Sequence, residues 1–537
     1  MKEIIIKLSI LLSFLCVVNV NAQISFSLTP QVSDVKHLII TDHLIPNSLS
    51  SNSSASLIMA YSSGAIEPIF KNFIVGMMPD GSLAKSYEAV SSGNKKFNIE
   101  RSLLFNNVLY CLVADNSSNK DLSLYLVAID YAKAQVFWEK KIDQIDYATR
   151  FKIIGFRNSI YVGYQITDNG NEVTAIQNFD LKGSFNWSRN YIGIEGKEEY
   201  FNDLIVHLSG DIYLVTKQLD SVNASASRIR IHKLNATGVP VKSSVFSFLN
   251  QTGGSINRFG DVFLEANGNN LHVAVQEIVG RDGFGKITIT MIDTSLTLRT
   301  WRNYSGELIL EDFNMSPGRF LLSGQRPVND GKEGYAIAAI NNLNAIPEVT
   351  HTFLEGFYNS SIASHSYIGT SGSRNLVLVA KAGKSSEQFI SVARTYAGAT
   401  GPCNPEFTFL VTKDGLQLNE DQLIVSNIVS PTIGNDLLNL SLREIDVASY
   451  VFCFNLNTTK PNADSPSIIS SDFSTYVEIK NEINKAFISV SSSDGKLIDT
   501  PILASDTDNL SLDIRKLHPG IYFLIQGNKL LGKFIKL

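Results

Sequence analysis

The stretch from Ile160 to Trp187, IYVGYQITDNGNEVTAIQNFDLKGSFNW, contains the unit that decides the fold. Two runs that alternate apolar and polar residues are joined by a polar loop. A turn at Asp180–Gly183 then leads into a third run, which carries Trp187. Alternation with a period of two residues is typical of half-buried strands. With the upstream run Phe151–Ile154, the stretch predicts a four-stranded antiparallel unit.

This unit recurs through the first four hundred residues. Apolar strands equivalent to the one at Ile160 begin near Leu57, Leu109, Ile212, Leu271, Phe320 and Leu376, so successive starts lie 52, 51, 52, 59, 49 and 56 residues apart. A period of this size, built only from strand patterns, is typical of propeller blades. We predict an all-β chain with a single β-propeller at residues 23–405. The strand starts favour seven blades and leave six or eight open. We expect the early strand Ile24–Leu28 to complete the last blade and close the ring.

The tryptophans occupy one position of the repeat. Trp138, Trp187 and Trp301 lie 8, 7 and 8 residues after an aspartate that opens a turn, and the chain has no other tryptophan. Asp side chains bind backbone groups two residues on, and Gly accepts positive φ, so these turns have hairpin chemistry. A large ring on the outer strand of each blade buries apolar area against the next blade, so we predict a blade-packing role.

The turn and tryptophan pattern is similar to one known group of propellers. Ala128-x-Asp130 followed by Trp138, and Phe179-Asp180-x-x-Gly183 followed by Trp187, resemble the tryptophan-docking blades of quinoprotein-like propellers. The resemblance covers only this turn and strand. It therefore implies an architecture and does not imply a quinone, and we predict no cofactor.

The N-terminus has the pattern of a secretory signal peptide at residues 1–22. Lys2 and Lys7 form a positive region before an apolar run at 8–20, and Val20-Asn21-Ala22 ends in a small residue before Gln23. The alternative, an uncleaved anchor, has too short an apolar run, and no later segment contains eighteen uninterrupted apolar residues. We predict no transmembrane segment in the mature chain. A net charge of −5 without a dense Lys/Arg face argues against nucleic acid as a partner.

The cysteines suggest one disulfide. Cys16 leaves with the leader, and Cys111 lies in an apolar strand as a buried thiol. Cys403 and Cys453 flank one segment, and export makes a bridge between them a candidate disulfide; two free thiols are the alternative.

After residue 405 the repeat fades. Residues 406–457 still have strand patterns, and we interpret them as a β extension or capping module. Residues 458–472 are rich in Asn, Thr, Pro and Ser, which is linker composition. A new strand-and-turn pattern occupies residues 473–537.

The last segment resembles the C-terminal sorting domain of type IX secretion substrates in Bacteroidota. That family has a strand-Asp-Gly-Lys turn, a Leu-x-x-Gly-(Ile/Val)-Tyr strand and a basic-apolar terminal strand. The residues that fill these places are Asp494, Gly495, Lys496, Leu517, Gly520, Tyr522, Lys533, Phe534 and Lys536. The opening Pro-Asn-Pro of the family is absent, which leaves the start of the domain undefined. The resemblance implies a small β-sandwich, the type IX machinery as a partner, and an extracellular or outer-membrane location reached through the periplasm. The alternative is a terminal sandwich without a sorting role.

Catalytic motifs are missing from the sequence. No zinc spacing, nucleophile elbow or phosphate-binding loop occurs, so we predict no catalytic, cofactor-binding or metal residues. We interpret two acidic clusters as solvated charge runs. The first is Glu198, Glu199 and Asp203, and the second is Glu307, Glu311 and Asp312. We predict a binding or adhesion module for an extracellular glycan or protein rather than an enzyme. The alternative is a secreted polysaccharide hydrolase or lyase whose acids come from separate blades.

Overall fold

The computed structural model describes most residues between 22 and 536. Its larger gaps are residues 1–21, 45–55, 220–226, 249–257, 354–366, 397–409, 455–466 and 481–487, and shorter gaps interrupt other connections. The predicted signal peptide, apart from Ala22, and Cys403 lie outside the described residues. Every regular element described is a strand, and no helix in the described part has the length and apolarity to span a membrane. The chain divides into two compact units, Met1–Asn455 and Leu456–Leu537.

The first 28 strands form seven antiparallel sheets. In chain order they are β1 (Ala22–Leu28), β2 (Val35–Leu44), β3 (Ser56–Gly64), β4 (Phe70–Met77), β5 (Ser86–Ser91), β6 (Phe97–Phe105), β7 (Val108–Asp115), β8 (Leu122–Asp130), β9 (Gln135–Ile145), β10 (Ala148–Phe156), β11 (Ser159–Asp168), β12 (Asn171–Asp180), β13 (Phe185–Ile192), β14 (Glu199–Val206), β15 (Ile212–Leu219), β16 (Ser227–Leu234), β17 (Pro240–Phe248), β18 (Arg258–Asn267), β19 (Asn270–Ile278), β20 (Lys286–Asp293), β21 (Leu298–Ser305), β22 (Ile309–Ser316), β23 (Arg319–Val328), β24 (Lys332–Ile340), β25 (Val349–Phe353), β26 (Tyr367–Ser371), β27 (Asn375–Lys384) and β28 (Glu387–Tyr396).

Six of the sheets pair four strands in the order in which they follow one another along the chain, and the seventh takes its fourth strand from the N-terminal side. Six sheets contain β2–β5, β6–β9, β10–β13, β14–β17, β18–β21 and β22–β25, and the seventh contains β26, β27, β28 and β1. The first strand of each sheet contacts the first strand of the next, and a contact between β2 and β26 completes the circuit. The fold of this unit is therefore all-β and propeller-like, with the first strands innermost.

The N-terminal strand completes the seventh sheet, as the sequence predicts. β1 pairs antiparallel with β28, and Ile24 faces Val392 in the register of that pair. The fourth strand of the seventh sheet therefore comes from the opposite end of the unit.

The turn chemistry predicted from the sequence is also confirmed. Oδ1 of Asp180 accepts hydrogen bonds from the backbone amides of Lys182 and Ser184, each at 2.8 Å. Asp293 and Asn235 bind the amides two and four residues on in the same way. Gly183 takes a φ of 78°, which a residue with a Cβ rarely adopts.

The tryptophans lie on the fourth strands of three sheets. Trp138 donates a hydrogen bond from Nε1 to the backbone oxygen of Leu181, at 3.2 Å, in the turn of the following sheet. A Cβ added to Gly183 would lie 2.9 Å from the Trp138 ring, so the glycine permits this close approach. Trp187 packs against Gly238 in the same manner. Trp301 instead lies beneath Lys413, whose Nζ is 4.7 Å from the ring centroid.

Residues 410–454, which we call the belt, contain β29 (Leu410–Thr412), β30 (Leu416–Asp421), β31 (Val425–Ile428), β32 (Leu440–Ile445) and β33 (Val447–Phe454). These strands do not form a sheet of their own. They add a fifth strand, in this order, to the sheets that end in β21, β17, β13, β5 and β1. A single bridge between Lys141 and Gly434 touches the sheet that ends in β9. Among the described residues, 406–457 is therefore an extension of the sheets rather than a separate module.

Buried contacts fix the belt. Asp421 and Glu199 both bind Arg230, at 2.5 Å, and the Arg230 and Glu199 side chains are almost fully buried. Both carboxylate oxygens of Glu139 accept backbone amides of the belt, from Asn439 and Leu440. Leucines and isoleucines of the belt are buried as well, at positions 416, 424, 438 and 440. Cys453 lies in β33, and the Cys111 thiol is buried. The Cys403–Cys453 disulfide remains a prediction.

The second unit contains two four-stranded antiparallel sheets. Its strands are β34 (Ser467–Ile469), β35 (Tyr476–Lys480), β36 (Ile488–Ser492), β37 (Leu497–Ile498), β38 (Ile502–Ser505), β39 (Asn509–Asp513), β40 (Gly520–Gln526) and β41 (Lys529–Lys536). The orders are β34-β35-β39-β38 and β37-β36-β40-β41. Because β34 pairs with β35, this unit takes up residues that the sequence analysis assigns to the linker at 458–472.

Candidate functional site on the innermost strands

Six of the seven innermost strands carry the same irregularity. Pairing with the second strand shifts register between Ile40 and Asp42, Ile99 and Arg101, Thr149 and Lys152, Phe201 and Asp203, Phe259 and Val262, and Leu310 and Asp312. Each shift inserts one extra residue, which is the definition of a β-bulge. Bulges redirect side chains and are common next to active sites, so these strands are where we place the candidate site.

Polar side chains occupy the bulges. Within the shifted segments lie Thr41, Glu100, Arg150, Asn202, Asp261 and Glu311. Arg150 takes a φ of 53° inside its strand, a left-handed conformation that is uncommon for a residue with a Cβ. Backbone strain of this kind persists where the surrounding structure holds it in place.

Three consecutive sheets contribute to one hydrogen-bonded group at the bulges. Nη1 of Arg150 donates to Oδ1 of Asn202 at 2.9 Å and to Oδ1 of Asp261 at 3.0 Å. The Arg150 and Asp261 side chains are 35% and 46% exposed, so solvent reaches both. We call Arg150, Asn202, Asp261 and Lys217 the Arg150 group.

Lys217 joins this group from the second strand of its sheet. Its Nζ donates to the backbone oxygens of Phe259 and Gly260, at 3.1 and 3.4 Å, which are the carbonyls freed by the bulge that carries Asp261. Burial and the nearby charge of Arg150 lower the pKa of Lys217, and Asp261 only partly offsets them. Two cations therefore share one carboxylate.

A second group lies on β10, β14 and β18 as well, and on the next innermost strand, β22. Nζ of Lys152 is 2.8 Å from Oδ1 of Asp203, and the amide of Leu264 donates to the other oxygen of that carboxylate at 2.8 Å. Although burial opposes the charged form of Lys152, the charges of Asp203, Glu265 and Asp312 raise its pKa. We call Lys152, Asp203, Glu265 and Asp312 the Lys152 group.

Glu265 is the titratable member of the Lys152 group. Burial raises its pKa to about 7; the charge of Lys152 opposes this, and the carboxylates of Asp203 and Asp312 add to it. A carboxyl group that holds its proton near neutral pH can donate it to a leaving group, while a neighbouring ionised carboxylate accepts one. The Lys152 group thus has the two protonation states that acid–base chemistry requires.

The sequence-based interpretation of the acidic clusters as solvated runs is wrong for two residues. Glu199 and Asp203 are 1% and 5% exposed. Burial opposes ionisation of Glu199, but His232 and Arg230 outweigh it and lower the pKa of this carboxyl. Glu199 therefore belongs to the buried contact with the belt and Asp203 to the Lys152 group. Glu311 and Asp312 are partly buried, and Glu198 and Glu307 lie outside the described residues.

The structure brings some predicted residues of the second unit together. Gly520 and Tyr522 lie in β40, opposite Lys536 and Phe534 of β41, and Lys533 lies in β41 as well. Leu517 and Tyr522 are buried. Asp494, Gly495 and Lys496 lie outside the described residues. No group of three or more His, Cys, Asp or Glu side chains in the described part is arranged to hold a metal ion.

Sequence reasoning missed the Arg150 group and, in the Lys152 group, both Lys152 and Glu265. The extra residue of a bulge interrupts the alternation of apolar and polar residues along the strand. Two polar residues then stand side by side, as in Thr149-Arg150-Phe151-Lys152 and Phe201-Asn202-Asp203. A comparison of the first strand of every repeat for this shared break in alternation could have found them.

Comparisons with known proteins give no family. No protein-family model matches the chain, and no curated protein matches it. Among solved structures, the polysaccharide lyase Uly1 aligns at a TM-score of 0.41 and 6% identity, covering 71% of this chain and 100% of that chain.

Two further structures align less well. The WD40 domain of SCAP from fission yeast gives a TM-score of 0.33 at 9% identity, covering 70% of this chain and 98% of that chain. The endo-arabinase from Bacteroides thetaiotaomicron VPI-5482 gives 0.28 at 13% identity, covering 44% and 92%. At these scores and identities, none of the three carries an inference about what this chain binds or does.

Glu265 should make folding stability depend on pH. Its carboxyl ionises near its ordinary pKa of 4.5 in the unfolded chain and near 7 in the folded one, so its stabilising contribution is complete below pH 4.5 and is lost as pH rises through 7. Between pH 5 and 8, the free energy of unfolding should therefore fall by about 2 kcal/mol more in the wild type than in Glu265→Gln. Urea unfolding at both pH values measures this free energy. Glu444→Gln, at an exposed position, is the control. Parallel pH profiles for the wild type and Glu265→Gln would contradict the assignment.

Proposed function

We propose that the first unit is a seven-bladed propeller that binds an extracellular glycan or protein, and that the end of its inner ring that carries the Arg150 group is the binding site. The observation that carries the proposal is the repeated bulge. It directs polar side chains from consecutive sheets towards one another, and the exposure of Arg150 and Asp261 leaves them accessible. A few convergent polar groups on a rigid scaffold are what orients a polar ligand.

A polysaccharide hydrolase or lyase is the second candidate, and the Lys152 group favours it. Glu265 would act as the proton donor to a glycosidic oxygen, and Asp203 or Asp312 would act as the base. The group supplies acids from three separate sheets, which is the arrangement that this candidate requires.

A glycan-array screen run beside a reducing-sugar release assay separates the two candidates. On the purified first unit with the belt, residues 23–455, we expect saturable glycan binding without sugar release at an enzyme-like rate. Sugar release that is lost in Glu265→Gln and retained in Glu444→Gln would make the chain an enzyme. Failure to bind any glycan or protein ligand would contradict the proposed function.

We also propose that the chain is exported through the periplasm and that the second unit is a β-sandwich sorting domain read by the type IX machinery. Support comes from the leader-like N-terminus and from the pairing of two motif segments, 517–522 and 533–536, in or beside the β40–β41 hairpin. The chain would then reside at the outer-membrane surface or in the medium.

A reporter fusion tests the sorting role. We expect residues 471–537 to carry a periplasmic reporter to the surface or the medium in a host with a working type IX system. The matched control lacks Lys529–Lys536, the strand that pairs with the Tyr522 segment, and should stay periplasmic. Equal retention of both fusions in the periplasm would refute the sorting role.

A further inference from the structure

The Arg150 group has an excess of positive charge in an acidic chain. The protein carries a formal net charge of −5, whereas this group combines the cations of Arg150 and Lys217 with the single carboxylate of Asp261, for a formal total of +1. Burial and Arg150 together lower the pKa of Lys217, so the two cations are held near each other at an electrostatic cost. An anion placed between or above them would relieve this repulsion.

The donors of Arg150 are divided between two edges of the guanidinium. Nη1 is committed to Asn202 and Asp261, which anchors the side chain to the next two sheets. Within the described part of the chain, Nε and Nη2 have no hydrogen-bond partner, and the side chain is 35% exposed. These two donors form the parallel fork that binds a carboxylate through both of its oxygens.

Lys217 presents a further donor. An ammonium group has three N–H donors, and two of those on Lys217 go to the carbonyls of Phe259 and Gly260. The third is left for a ligand. Since both carbonyls belong to the bulge that also carries Asp261, one backbone irregularity positions both the ammonium and the carboxylate that anchors Arg150.

The neighbouring Lys152 group limits where an anion can bind. It contains one cation and three carboxyl groups, so its formal charge is −1 with Glu265 protonated and −2 with Glu265 ionised. An anionic ligand is therefore attracted to the Arg150 group and repelled from the Lys152 group, which fixes the direction in which a charged sugar can enter.

The geometry points to a carboxylate subsite at Arg150 and Lys217, and so to a glycan of uronic acids as the class of ligand. This inference rests on the proposed glycan binding and specifies it: the fork of Arg150 holds the sugar carboxylate through two hydrogen bonds, and the positive charge of Lys217 adds to the attraction. Phosphate and sulfate groups can also bind an arginine fork through two of their oxygens, so a sulfated glycan is the competing ligand, and tighter binding of a sulfated glycan than of a uronic acid glycan on the array would overturn the assignment.

A pair of ligands that differ only in charge tests the subsite. Hexagalacturonate and its fully methyl-esterified form have the same sugars and linkages, and only the first carries carboxylates. By isothermal titration calorimetry at fixed ionic strength on residues 23–455, we expect the acid to bind about tenfold more tightly than the ester, because charge-assisted hydrogen bonds are lost in the ester.

Substitutions at Arg150 and Lys217 test whether these residues cause the tighter binding of the acid. Arg150→Gln and Lys217→Gln should each weaken binding of the acid by about tenfold and leave binding of the ester nearly unchanged, and Arg150→Lys should restore part of the loss. Arg157→Gln is the matched control. Arg157 has the same left-handed φ, 54° against 53°, but it lies in the exposed turn at the other end of the same strand, where it contacts the backbone oxygen of Leu208. Thermal melts of all variants report folding separately.

The outcomes separate this inference from the proposal on which it rests. Equal affinity for acid and ester, or loss of both ligands in Arg150→Gln with an unchanged melt, would overturn the carboxylate subsite and leave glycan binding standing. Binding of neutral glycans alone on the array would overturn it too. Absence of binding to every glycan would contradict the proposed glycan binding itself.

Discussion

The pairing of β1 with two partners is the constraint on which the rest of the first unit depends. β1 lies between β28, the last strand of the ring, and β33, the last strand of the belt. The seven residues of β1 therefore complete the seventh sheet and also pair with the end of the belt. Both pairings join residues more than 350 positions apart, so they must overcome a large loop-closure entropy. The expected cleavage before Gln23 would leave nearly the whole strand in the mature protein.

The rigidity gained from closure is what allows the candidate site to be built from separate sheets. Arg150, Asn202 and Asp261 come from three consecutive innermost strands, and hydrogen bonds of 2.9 and 3.0 Å require those strands to keep their spacing. The belt acts from the outer edge of the same sheets. Its Asp421 binds Arg230, which in turn binds Glu199 at the start of the innermost strand that carries Asn202. Fixing the outer edges thus helps to hold the inner ones.

The parts of this architecture that repeat locally could be predicted from the sequence. Alternation, Asp- and Asn-initiated turns and the tryptophan spacing each involve residues close together in the chain, and together they predict antiparallel four-stranded units. The pairing of β1 was predictable because the last unit lacks a strand and the N-terminus offers one. The sequence of residues 406–457, by contrast, did not distinguish an extension of the sheets from a separate module. The belt strands are short and each pairs with a strand more than a hundred residues earlier, as in the contact of Asp421 with Arg230.

The candidate site escaped prediction for a related reason. A bulge depends on register against a partner strand, and a single sequence displays only the break in alternation that accompanies it. Glu199 and Asp203 look like a solvated acidic run because their partners Arg230 and Lys152 lie 31 and 51 residues away in other strands. Their burial follows from tertiary pairing, which charge pattern alone does not report.

Hydrogen–deuterium exchange at β1 tests the closed ring most directly. If β1 is held between β28 and β33, the amides of residues 24–28 should exchange as slowly as those of β28, and both should open in one cooperative step. The same slow exchange should persist in protein whose leader has been removed. Rapid exchange of β1 at the rate of an unstructured terminus, with β28 still protected, would contradict closure of the ring by the N-terminal strand.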